Sequence, residues 1–114
     1  MSPGIDVVAP PTPFAVRVSG GRQALITVTG ELDLATVPVL AAALCDVDFS
    51  SGQNVILDLE RLDFIDAVGL RAVMALHERC LRLSATLTIL PGPRRVHRVF
   101  ELTGADALLP FRRR

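Results

Sequence analysis

At 114 residues, half of them apolar, the chain has the size and hydrophobic content of one domain built around one sizeable core. Basic and acidic side chains balance at 12 each, so no long-range field points to nucleic acid or to an acidic membrane surface, and a protein partner is expected. No basic stretch followed by an apolar core opens the chain, and no apolar run nears the roughly 18 residues of a membrane span, which predicts a soluble cytoplasmic protein.

Residues 1–13 contain Pro3, Gly4, Pro10, Pro11 and Pro13, a density that blocks regular hydrogen bonding and predicts a flexible leader. Phe14 to Val18 and Ala24 to Val28 read as two extended segments around Ser19-Gly20-Gly21-Arg22, the pattern of a β-hairpin. Thr36 is placed to cap a first helix with Pro38 in its first turn, and Val39, Leu40, Ala43, Leu44 and Val47 recur at helical spacing. Asn54 to Leu59 is a third, β-branched strand.

A second helix is predicted from about Val68 to Leu83, with Arg71, Glu78, Arg79 and Arg82 on one arc and Val73, Leu76 and Cys80 opposite. Leu70, Met74 and Leu81 widen the apolar arc, as surplus contact surface or as packing against neighbouring helices. Thr86 to Leu90 is a fourth strand, and a third helix starts after Pro93, shows Val96, Val99 and Phe100 on one side, and stops at Gly104. Leu108 to Phe111 adds a short edge strand that Pro110 weakens. This order of elements predicts a mixed sheet with helices packed on it. Cys45 and Cys80 sit among apolar helical neighbours and are expected as buried, reduced thiols.

The most informative run is Asp66-Ala67-Val68-Gly69-Leu70, where a strand gives way to the second helix. Asp66 supplies a capping oxygen and Gly69 a point of close backbone approach, whereas Ala67 and Val68 carry no hydroxyl or nucleophile. This spot is therefore expected to bind rather than to react. Asp33 follows the second strand as Asp66 follows the third, so in a crossover sheet the two carboxylates can border one surface while each caps its own local turn.

Catalytic constellations are weak. His77 and Cys80 could share a metal, but the two further ligands it needs have no cysteine or histidine cluster to come from, and His97 beside Arg98 reads as a solvent-facing residue. No cofactor and no metal site are expected. Neither a Walker-type loop nor a Gly-x-Gly-x-x-Gly turn occurs, and the arginines at 94, 95, 98 and 112–114 come without Trp or Tyr to stack on bases.

Four stretches together resemble the successive signatures of STAS domains, the bacterial anti-sigma-factor antagonists and related modules. They are Thr29-Gly30-Glu31-Leu32-Asp33, then Val55-Ile56-Leu57-Asp58-Leu59, then Leu62-Asp63-Phe64-Ile65-Asp66 with Gly69-Leu70, and Val96-His97-Arg98-Val99-Phe100-Glu101-Leu102-Thr103-Gly104. The resemblance covers Phe14 to Phe111 and implies one STAS-like α/β domain over residues 14–111, after the leader and before a basic tail at 112–114. It implies a mixed four- to five-stranded sheet with an N-terminal hairpin and about three main helices largely on one side.

The same resemblance implies a partner-binding, non-enzymatic regulator of transcription. In the family an antagonist binds an anti-sigma factor, often a serine kinase, and frees the sigma factor; phosphorylation of a serine or threonine directly after the aspartate is the switch. That position is Ala67 here, so the resemblance implies a form that cannot be phosphorylated there. The residues expected to bind the partner are those of the Asp33 loop, the helix start and its apolar flank: Asp33, Asp66, Ala67, Val68, Gly69, Leu70 and Met74. The alternative is a non-phosphorylatable scaffold that assembles with other STAS modules in a larger signalling complex. An enzyme of small-molecule metabolism and the cytoplasmic tail of an anion transporter are weaker readings, the first without a reactive constellation and the second without a membrane segment.

Overall fold

A computed structural model describes residues 12–113. The leader expected over residues 1–13 lies, through residue 11, outside the described residues, as does Arg114 of the expected tail. Five strands form one mixed sheet: β1 (Ala15–Ser19), β2 (Gln23–Leu32), β3 (Asn54–Asp58), β4 (Leu62–Ile65) and β5 (Thr86–Leu90). Three helices connect and cover them: α1 (Val37–Ala43), α2 (Ala67–Leu83) and α3 (Arg94–Leu102). Short 3-10 turns follow α1 at Leu44–Asp46 and α3 at Ala105–Ala107.

The hairpin is as expected, with β1 antiparallel to β2 from Ala15 opposite Thr29 to Ser19 opposite Leu25. β2 then runs parallel to β3 along its first half and parallel to β4 along its second, and β5 adds parallel to β3. Alternation decides which face the helices cover. Ala24, Ile26 and Val28, Val55 and Leu57, and Leu87 and Ile89 point inward and are buried, while their neighbours stay partly accessible on the other face. Leu40 of α1, Val73, Leu76 and Cys80 of α2, and Val96 and Phe100 of α3 close the same core from one side.

The parallel arrangement carries the functional consequence. β2, β3, β4 and β5 share a direction, so the loops leaving β2 and β4 emerge at one end of the sheet.

β4 is an addition to the expected strands. Its residues do not alternate: Leu62 and Ile65 are both buried, because the β2–β4 register shifts between Gly30 and Glu31 and leaves Asp63 as an extra residue. Arg95 of α3 satisfies that bulge, its Nε donating to the Asp63 carbonyl at 3.1 Å and its guanidinium pairing with the Asp63 carboxylate at 3.4 Å. Gly30 at the same shift has φ +93°, and a Cβ there would stand 2.9 Å from Phe14 Cα.

Other expectations need correction. The edge strand at Leu108–Phe111 reduces to a single bridge between Ile89 and Phe111. Pro110 has no N–H to extend a ladder, although its carbonyl accepts from Ile89 N at 2.9 Å. Thr36 stands at the α1 N-cap position without a side-chain capping bond, its hydroxyl donating instead to the Glu31 carbonyl at 2.7 Å. The α-helix ends at Ala43, and the tighter turn that follows rotates Cys45 into solvent, so this thiol is exposed; Cys80 is buried as expected. His97 is half-buried rather than solvent-facing, because the segment after α3 folds back and sets Phe111 edge-on to the imidazole at 4.6 Å.

Candidate functional site

The end of the sheet where β2 and β4 stop is held together by one aspartate. Asp66 is the N-cap of α2, with extended backbone, and its Oδ1 accepts from Gly69 N at 2.8 Å. Its Oδ2 accepts from Leu34 N at 3.3 Å, across to the loop that follows β2. The Asp66 N–H donates to the Leu32 carbonyl at 3.2 Å, and the Asp66 carbonyl accepts from Leu70 N at 2.9 Å. One residue thus joins two loops and starts a helix.

Gly69 is required by this closeness. It is buried against the end of β2, where a Cβ would collide with the Leu32 carbonyl oxygen and stand 2.9 Å from Ile65 Cγ1. The first turn of α2 therefore lies directly on the final residue of β2.

Asp33 organises the other loop. Its Oδ1 accepts from Ala35 N at 3.0 Å and Thr36 N at 3.1 Å, and its carbonyl accepts from Val37 N at 2.9 Å. Asp33 and Asp66 are both half-buried and lie at the same sheet end, joined through Leu34.

The remaining residues expected at the site divide by exposure. Ala67 is exposed at the first position of α2, and Val68 beside it is half-buried. Leu70 and Met74 are half-buried and pack against the core, leaving only part of each side chain accessible. Leu81, the third of the surplus apolar residues, is 65% exposed near the opposite end of α2.

Two apolar residues at this end lie outside the expected set. Leu34, whose N–H is held by Asp66, is 71% exposed, and Phe64 on β4, two residues before Asp66, is 48% exposed. A leucine directly after a turn-capping aspartate is the available sequence signal for the first. The second needs β4 to be recognised, since only then does Phe64 fall on the open side of a strand.

Among the described residues, no serine, threonine or cysteine side chain is hydrogen-bonded to a histidine, and no helix is long and apolar enough to cross a membrane. His77 is half-buried beside buried Cys80 on α2. Desolvation raises the Cys80 thiol above its ordinary pKa, a shift that the neighbouring Arg79 opposes.

An anti-sigma-B factor antagonist of Staphylococcus aureus is 30% identical over 84 residues, covering 74% of this chain and 78% of that protein. The crystal structure of an anti-sigma factor antagonist from Mycobacterium paratuberculosis superposes with a TM-score of 0.73 at 23% identity, covering 91% of this chain and 89% of the other. The anti-sigma factor antagonist SpoIIAA in its unphosphorylated form gives a TM-score of 0.67 at 21% identity, covering 87% and 89%. The model of the STAS domain matches residues 14–114, and with this match and these relatives the chain belongs to the STAS domain family.

Proposed function

We propose that this STAS domain is an anti-sigma-factor antagonist-like regulator that docks on a protein partner through the Asp66 end of the sheet. The partner is an anti-sigma factor of the serine-kinase type, and its capture releases a sigma factor for transcription. The observation that carries this reading is the tip itself. Asp66 fixes Leu34 and the first turn of α2 by side-chain hydrogen bonds, so an exposed leucine and an exposed alanine are presented on a pre-ordered surface. Pre-ordering lowers the entropy that association must overcome, and a partly apolar tip bordered by Asp33 and Asp66 suits a protein groove. Val68, Gly69, Leu70 and Met74 complete the docking set, Gly69 by allowing the close packing and the others by their accessible edges.

The absence of a hydroxyl at Ala67 gives the partner interaction its second property. A phosphate at the start of α2 would bring roughly 1.5 to 2 negative charges beside Asp66 and oppose docking by repulsion and desolvation. Alanine accepts none, and of the nearby hydroxyls Thr36 is already engaged with Glu31 and Asp33. The domain is therefore constitutively competent to bind.

The test incubates the purified chain and an Ala67→Ser variant with ATP and an anti-sigma kinase from the same cell. Mass spectrometry and partner retention on a column are then followed together. The wild type is expected to bind and to gain no phosphate at residues 66–70, while the variant gains one phosphate and is released. Phosphate anywhere on the wild type that weakens its retention of the partner overturns the unswitched reading. Loss of partner binding with stable self-assembly by light scattering replaces the antagonist with a scaffold that assembles with other STAS modules, the reading that the missing acceptor also favours.

A further inference from the structure

The third helix, the turn after it and the C-terminal segment line a concavity of about 800 Å³. His97 and Glu101, one helical turn apart on α3, share its wall with Asp106 of the following 3-10 turn. Gly104, in the left-handed region at φ +78°, ends the helix and turns the chain so that Asp106 comes back beside them. One donor atom from each of the three residues lies within 4.8 Å of the other two. We propose that His97, Glu101 and Asp106 form a binding site for a divalent transition ion of zinc-like preference.

Three observations carry the assignment. Three points no more than 4.8 Å apart have a common centre within about 2.8 Å of each, close to the 2.0–2.2 Å of zinc bonds to imidazole and carboxylate. Glu101 is exposed, so its side chain has the rotamer freedom to approach a shared ion more closely. The imidazole is held rather than loose, with Phe111 edge-on at 4.6 Å and Phe100 at 6.0 Å. A ring fixed by packing presents its nitrogens in a defined direction.

The imidazole is also unsatisfied. His97 Nδ1 is shut off from solvent and has no hydrogen-bond partner among the described residues. Buried polar groups are ordinarily paired, so this ring keeps bonding capacity that the described residues do not use.

Donor chemistry selects the ion. One imidazole and two carboxylates favour zinc and its first-row neighbours over calcium or magnesium, which take all-oxygen shells. Arg94, Arg112 and Arg113 border the same concavity and oppose a bare dication. They define the competing outcome, an anion held by guanidinium groups without any metal.

The experiment titrates the chelator-stripped full chain, in a Cys45→Ser background that removes the exposed thiol, with zinc chloride by calorimetry. Nitrogen-15 spectra of the two imidazoles are recorded in parallel. One equivalent of zinc is expected to bind, to shift the His97 resonances and not those of His77, and to raise the unfolding temperature. The Glu101→Gln, Asp106→Asn double variant keeps the shape of both side chains and is expected to weaken zinc binding by about tenfold or more. Three results overturn the assignment: no saturable binding at millimolar zinc, binding unchanged in the double variant, or binding lost in His77→Gln. Saturable binding of inorganic phosphate by the metal-free protein, with no uptake of zinc, also overturns it and makes the concavity an anion site.

Discussion

Asp66 and Leu34 are joined by a 3.3 Å hydrogen bond across 32 residues of sequence, while the other oxygen of the same carboxylate caps α2 through Gly69 at 2.8 Å. Removing the carboxylate therefore frees two loop ends at once. Asp66→Ala is expected to lower unfolding free energy by about 1–2 kcal/mol, the loss of an N-cap with its cross-loop bond, and Asp66→Asn by less because one acceptor oxygen remains. Urea unfolding checks this: the midpoint should fall with an unchanged slope, and equal losses for the two variants would show that the bonds are not what matters.

The contact between Gly69 and the Leu32 carbonyl predicts a graded series. A Cβ at 69 meets backbone and the Ile65 side chain, so Gly69→Ala must displace α2 from β2, at about 2 kcal/mol or more. Gly52 has φ +83° and open space where a methyl would stand, with nothing within 4 Å, so Gly52→Ala bears only the left-handed backbone penalty of about 1 kcal/mol. Thermal unfolding that ranked the two variants in the opposite order would refute the close-approach explanation.

How much of this is legible in the sequence depends on how local the cause is. Thr86–Leu90 alternates cleanly and has the bounds that its alternation predicts, and the Asp66 cap follows from a three-residue spacing. β4 escapes such a reading because its bulge at Asp63 puts Leu62 and Ile65 on the buried side, an odd spacing that matches no strand at all. The burial of His97 is equally hidden, since nothing within α3 foretells Phe111 folding back over it. Cys45 departs from expectation for a smaller reason, the change from α to 3-10 geometry after Ala43, which helical periodicity does not anticipate. At the candidate site the polar frame is readable from Asp33 and Asp66, and Leu34 follows a turn-capping aspartate, whereas the exposure of Phe64 emerges only once the bulged β4 is recognised as a strand.

The docking proposal makes a prediction that separates binding from folding. The Leu34 side chain is 71% exposed while its N–H holds the frame, so Leu34→Asp alters the surface and leaves the hydrogen bond in place. Stability should change by no more than about 0.5 kcal/mol, whereas affinity for an anti-sigma factor should fall about tenfold or more. Calorimetry on the variant decides it. Unchanged affinity would place the partner on another face, and a large stability loss would make Leu34 a packing residue.

Alkaline pH offers an unusually clean reading of the core. The chain contains no lysine and no tyrosine, whose ionisation would otherwise overlap that of a buried thiol at alkaline pH. Burial raises the Cys80 thiol above its ordinary value of 9.0, so the folded state holds this proton more tightly than the unfolded state does. Stability from this group is fully present below the unfolded pKa and is lost as pH climbs through the folded one. Urea midpoints should therefore hold steady up to about pH 9 and decline beyond it, and Cys80→Ala, though less stable throughout from its cavity, should flatten that decline. Alkylation sharpens the test, because exposed Cys45 should react with iodoacetamide in the native protein while Cys80 reacts only on unfolding. Equal labelling of both thiols under native conditions would mean that the packing of α2 against the sheet opens far more readily than its buried contacts imply.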